Sequence, residues 1–329
     1  MHLKNFIAAI ILAIVTAAPV RGEISIVYPA PGSWARYSDY LILKLNSTEL
    51  SGVSIHVNGV LGDLLEIGSP EYRKMFQDIV IVQPSWDPGR NQLVVEGYKG
   101  KNKVETVKAE IYFYGGSDPS RVPPEFKPFV MHSEEREKLC THCHNMAPAL
   151  EQMNSNQEKL NPCFGCHKKI ISAKYVHGPA GTYSCGYCHT PGGSPKYLPL
   201  RREAELCNSC HAEKAAEFRK RKFVHGPIEA GMCEPCHDPH GSPYPAQLRL
   251  KINDLCLSCH ETIRKDFHVV RTTTGEGHPL GGRPDPSKAG TGRELSCISC
   301  HNPHSGDGRF FFQGNAVDRS ALCILCHNK

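Results

Sequence analysis

One five-residue pattern, Cys-x-x-Cys-His, occurs eight times between Cys140 and His327 and uses all sixteen cysteines of the chain. The copies are CTHCH (Cys140, Cys143, His144), CFGCH (Cys163, Cys166, His167), CGYCH (Cys185, Cys188, His189) and CNSCH (Cys207, Cys210, His211). They continue with CEPCH (Cys233, Cys236, His237), CLSCH (Cys256, Cys259, His260), CISCH (Cys297, Cys300, His301) and CILCH (Cys323, Cys326, His327). Two thiols three positions apart can each add across a vinyl group of a haem, sulfur going to one carbon and hydrogen to the other. The histidine that follows is then held against the iron as its proximal ligand. Zinc sites also use CxxC pairs, and exported chains use disulfides, but neither needs a histidine directly after the second cysteine. The pattern predicts eight covalently attached c-type haems.

About 200 residues would then carry eight cofactors, roughly one per 25, too little chain to build a conventional apolar core. The macrocycles are expected to form the core, with short helices and loops wrapped round them, little sheet, and folding that depends on the cofactor. A helix is expected at EKAAEFRKR, 213–221.

The chain ahead of Cys140 follows another rule. Residues 1–22 read as a signal peptide: Lys4 supplies a positive start, Phe6 to Ala18 an apolar run, and Val20 and Gly22 a small-residue cleavage point. Residues 23–115 read as an all-β sandwich. ISIVYP, YLILKL, VSIHVNGV, DIVIVQ, NQLVVEGY and VETVKAEIYFY are short runs rich in Val, Ile and Tyr, separated by PAPGS, NG, DPGRN and KGKN. This part resembles bacterial immunoglobulin-like or fibronectin-like modules, most visibly in VNGV and WDPGRNQLVVEGY. His56, in VSIHVNG, reads as a strand residue without chemistry. Residues 116–131 form a Pro-rich linker, and 132–329 the haem-carrying domain.

Within that domain the motifs come in pairs. YVHGP precedes CGYCH by the same interval as FVHGP precedes CEPCH, eight residues from histidine to first cysteine, and GHPL stands before CISCH with a longer insertion. HTPGGSP, HDPHGSP and HNPHSGD follow the second motif of each unit. On these residues the domain resembles the multihaem c-type cytochromes with doubled CxxCH motifs. The resemblance implies electron transfer through closely spaced haems, with the distal ligand of one haem commonly supplied by a neighbouring unit.

A second histidine on an iron makes a low-spin electron carrier, and an open position permits chemistry. Eight proximal histidines, His2 in the leader and His56 account for ten of the eighteen. His132, His142, His177, His225, His240, His268, His278 and His304 remain, eight for eight irons, and are the candidate distal ligands. His177, His225 and His278 occupy one repeat position and His240 and His304 another, whereas His132, His142 and His268 stand outside the repeat. In the third motif Gly192 replaces the repeat's histidine, so His142 or His132 is expected to serve that haem or another. His240 lies too close along the chain to His237 to reach the opposite face of the same haem. Met131, Met146, Met153 and Met232 are the alternative sixth ligands.

The formal charge of +5 does not point to nucleic acid, because sixteen propionates would outweigh it, and RKRK (219–222) reads as a solvated face. The expected protein is an exported electron carrier without catalytic residues, periplasmic or at the cell surface, and not an integral membrane protein. Its expected partners are other redox proteins, either periplasmic or outer-membrane cytochromes or an extracellular acceptor. The β domain is available for docking or self-assembly. The competing reading is a multihaem reductase of a nitrogen or sulfur oxyanion, which needs one open haem.

Overall fold

The computed structural model describes residues 22–36, 40–114, 121–199, 201, 203–265, 268–270, 273 and 277–327. The leader expected at 1–22 therefore lies outside the described residues but for Gly22. The chain divides into two units, one of residues 1–33 and 40–111, the other of 34–39 and 112–329.

The first unit is built of strands. β1 (Ile24–Tyr28), β2 (Ser33–Ala35), β3 (Leu41–Leu45), β4 (Gly52–Val57) and β5 (Leu64–Glu66) are followed by β6 (Ile79–Val82), β7 (Gly89–Lys99) and β8 (Asn102–Phe113). β1, β3 and β6 make an antiparallel sheet with Ile24 opposite Leu45 and Leu43 opposite Val80. β5, β4, β7 and β8 are neighbours in a second sheet, with Val57 opposite Leu93. In β3 the alternation Leu41, Leu43, Leu45 turns every second side chain inward, the period a pleated strand imposes. These meet Leu50, Val53, Ile67, Val80, Leu93 and Val95 in one apolar cluster. Each such buried side chain contributes about 1.5–3 kcal/mol.

Two local devices hold the sheets in register. Asn58 and Gly59 both adopt positive φ, the turn that the dipeptide Asn-Gly favours. Asn91, fully buried, accepts from the Asp87 backbone N–H and the Asn58 side-chain amide and donates to the Asp87 and Gly89 carbonyls, so its own amide is fully paired in the DPGRN turn. His56 lies in β4, bonded to Ser54 and accepting from the Gly62 N–H. The strand pattern missed one helix, Pro70–Phe76, although Ser69 caps it through the Tyr72 N–H and Pro70 opens it.

In the second unit, Trp34–Ala35 of β2 pair in parallel with Tyr112–Phe113 of β8. The stretch expected as linker is structured over its described part. It contains β9 (Lys127–Pro128), Val122 and Phe126 are buried, and the Phe126 ring lies 5.2 Å from that of Tyr112. Beyond it come short helical turns and four two-residue strands, β10 (Tyr175–Val176), β11 (Phe223–Val224), β12 (Gly241–Ser242) and β13 (Ser305–Gly306). β10 pairs with β12 and β11 with β13. The helix expected at 213–221 runs Glu203–Arg219 and takes in the whole CNSCH motif, with non-helical backbone at His211. Among the described residues from 132 onward, the buried apolar side chains are Pro148, Met153, Leu295 and Ala316. None of the helices described is long and apolar enough to cross a membrane.

Candidate haem-binding sites

Each motif forms a single helical turn. The histidine N–H donates to the carbonyl of the first cysteine, four residues back, in seven copies at 2.9–3.1 Å (His144 to Cys140 through His327 to Cys323), and the CNSCH copy lies inside a helix. Positions i, i+3 and i+4 share one face of a helical turn, so both sulfurs and the imidazole point the same way. None of the sixteen cysteines is in a disulfide. Among the described residues no group of three or more His, Cys, Asp or Glu side chains converges as a zinc site would require.

Seven motif histidines each face one of the candidate distal histidines. The ring centroids are 6.1 Å apart for His167 and His132, 5.9 Å for His189 and His240, and 6.1 Å for His211 and His177. They are 6.2 Å apart for His237 and His304, 6.1 Å for His260 and His225, 5.9 Å for His301 and His268, and 6.3 Å for His327 and His278. Histidine rings against phenylalanine or tyrosine in the same unit lie closer, at 4.4–5.8 Å. A ligating imidazole nitrogen sits about 2 Å from its metal, so one metal held between two such nitrogens separates the ring centroids by about 6 Å.

The second nitrogen of these rings is also accounted for. One member of every pair donates its Nδ1–H to an oxygen. His132 bonds Glu137 (3.0 Å), His177 the Pro239 carbonyl (2.8 Å) and His189 the Tyr197 carbonyl (2.7 Å). His237 bonds the Ala246 carbonyl (2.7 Å), His301 that of Phe310 (2.6 Å), His278 that of Pro279 (2.9 Å), and His225 that of Pro303. An Nδ1–H so engaged fixes the tautomer and leaves the Nε2 lone pair for a metal. Burial drives the imidazoles of His167 and His304 down to about 4, so both rings are neutral, as a ligand must be. The residues present thus fit a haem iron between each of the seven pairs.

The short ladders explain the pairing. β10 on β12 brings His177 beside His240, the His177 N–H donating to the His240 carbonyl at 2.9 Å. β11 on β13 does the same for His225 and His304, again at 2.9 Å. The two histidines of a ladder then diverge, one to face the third motif's histidine and the other the fourth's, or the fifth's and the sixth's. Side chains two residues back hold the turn: Asp238 accepts from the His240 N–H and Asn302 from that of His304, both at 3.0 Å. His132 obeys the same rule, which the sequence reading missed: it stands eight residues before Cys140 and faces His167 of the second motif. His268 and His278 face the histidines of the seventh and eighth motifs, and the His278 N–H reaches the Val270 carbonyl.

His142 and His144 differ from the rest. Both are exposed, and among the described residues no imidazole faces either. A cavity of about 530 Å³ beside His144 is lined by Glu137, Lys138, Thr141, Met146 and Lys196 among others. Lys196 donates to Glu137 (2.7 Å) and to the Met146 carbonyl (2.6 Å). Of the methionines, Met153 is buried as packing.

The motifs also follow one another in space. Cys163 neighbours Cys185, Cys207 neighbours Cys233, and Cys256 neighbours Cys297. The intervening junctions are near enough for charge on one sulfur to act on the other: Cys140 with Cys166, Cys188 with Cys210, Cys236 with Cys259 and Cys300 with Cys326. Each motif therefore has a cysteine within electrostatic range of the next along the chain.

Comparison with known proteins bears on the same residues. A family model described as the doubled CXXCH motif matches three stretches, 177–216, 225–265 and 289–329. The chain is similar to a multiheme cytochrome, MtrA, of Shewanella baltica (strain OS185), 32% identical over 181 residues that cover 53% of this chain and 51% of that protein. The chain thus spans about half the length of that curated relative. Among solved structures, fibronectin(III)-like modules of Clostridium thermocellum CbhA align over 28% of this chain and 96% of theirs, at 14% identity and a TM-score of 0.21.

Proposed function

Because the chain is a multihaem c-type cytochrome with doubled CxxCH motifs, we propose that it is an exported electron-transfer protein carrying eight haems in a continuous row. The observation that carries this reading is that seven motif histidines are each faced by a further histidine, with ring centroids 5.9–6.3 Å apart. When bound, the haems supply one-electron Fe(III)/Fe(II) chemistry, an electron entering from one redox protein and leaving to another. The cysteines hold the macrocycles by thioether bonds. His144, His167, His189, His211, His237, His260, His301 and His327 serve as proximal ligands, and His132, His177, His225, His240, His268, His278 and His304 as distal ligands. Paired imidazoles held in place by the fold would limit the rearrangement that accompanies a change of charge on a bound iron. The apolar leader supports export, and the partners are other redox proteins.

The test has two parts. Haem content measured as pyridine haemochrome, with the intact mass, is expected to give eight haems on the full chain. Rapid mixing with a one-electron donor and then a second cytochrome is expected to reduce and reoxidise them with no other substrate consumed. Fewer haems, or steady turnover of nitrite or sulfite, would sink the carrier reading.

A further inference from the structure

The two ladders give a rule for where a distal histidine must stand. The histidine three residues after the fifth motif's proximal histidine faces the third motif's, and the one three after the seventh's faces the fifth's. The corresponding position after the third motif's His189 should therefore serve the first motif. That position is Gly192. The supporting turn is altered with it. Where Asp238 and Asn302 receive the histidine N–H, Thr190 stands instead, with its hydroxyl buried and without a hydrogen-bond partner. The Gly193 N–H turns back to the Thr190 carbonyl, and the Val130 carbonyl accepts from Arg136. No ladder like β10–β12 forms here among the described residues.

The surroundings of His144 agree. Among the described residues no imidazole faces it, and His142 sits exposed on the same turn. Lys196, which lines the cavity, is an ammonium already bound by Glu137 and the Met146 carbonyl, so it offers no lone pair.

We propose that the iron held by His144 receives no second side chain from this protein, and that a small inorganic ligand of haem iron, neutral or anionic, binds at that open position. The ligand donates a lone pair to the iron, and no electron is transferred in the step. This rests on the haem attachment proposed above and makes the first motif a binding site rather than one more relay.

The haem-loaded full chain provides the test. Low-temperature electron paramagnetic resonance of the oxidised protein is expected to show a high-spin ferric signal from about one haem in eight. Carbon monoxide titrated into the reduced protein is expected to bind about one per chain, with cyanide doing the same in the oxidised protein. Gly192→His restores the repeat at a position where a Cβ meets nothing within 4 Å. It is expected to abolish the high-spin signal and to lower carbon monoxide uptake at least about tenfold, whereas Gly192→Ala keeps both. Cys140→Ala/Cys143→Ala is expected to lose the binding haem. A wholly low-spin wild type that takes up no carbon monoxide would overturn the proposal. So would uptake that survives in Gly192→His or in the double-cysteine variant. Haem content of each sample, read as pyridine haemochrome, tests attachment separately. A shortfall there counts against the eight-haem reading, and spin state and gas uptake count for or against the open position.

Discussion

At the scale of single residues, the CxxCH turns were legible because covalent chemistry fixes the order of three side chains on one face. The distal histidines were legible only as a pool. Counting them assumed that every spare histidine finds an iron, and His142 shows why counting falls short: its place inside CTHCH leaves it exposed, with no ring opposite. His132 carried a usable signal, its eight-residue spacing to Cys140, that was overlooked because no HGP follows it. The two residues should respond differently to truncation. His132→Ala is expected to turn about one haem in eight high-spin, since it faces His167. His142→Ala is expected to leave the low-temperature resonance spectrum as it was. A changed spectrum in His142→Ala would mean that this exposed side chain ligates after all.

At the scale of elements, the pairing of histidines with irons depends on β10–β12 and β11–β13, each joining chain segments about 60 to 80 residues apart. Two-residue strands have no readable alternation, so neither ladder could be seen in the sequence, whereas β3, β4 and β7 announced themselves by period and composition. The ladders depend on close backbone approach. A Cβ at Gly241 would sit 2.9 Å from the Tyr175 carbonyl and 3.1 Å from the Val176 Cα, so a side chain there pushes β12 off β10. His177 and His240 hang from that one ladder and face different motif histidines. Gly241→Val is therefore expected to disturb about two haems in eight, against about one for His240→Ala. Magnetic circular dichroism of the oxidised proteins distinguishes the two, and equal damage from both variants would show that the ladder is not what places His177.

At the scale of the whole molecule, the two units are stabilised by different means. The β unit has a buried apolar cluster of its own, from Ile24 to Val95. The described residues from 132 onward bury Pro148, Met153, Leu295 and Ala316, far too little to offset the ordering entropy of so long a chain. Chain made without haem attachment is accordingly expected to yield, on limited proteolysis, a resistant fragment close to residues 22–114 and to lose the rest. Survival of the CxxCH region in the haem-free chain would contradict this. The histidine lending of the second unit also behaves like overlapping roof tiles. The third and fifth motifs are each faced by a histidine laid two motifs later, and at the corresponding place for the first motif stands Gly192. Such a roof can be lengthened or shortened only by whole courses of two motifs. Removing a single motif would separate a lending histidine from the motif it faces.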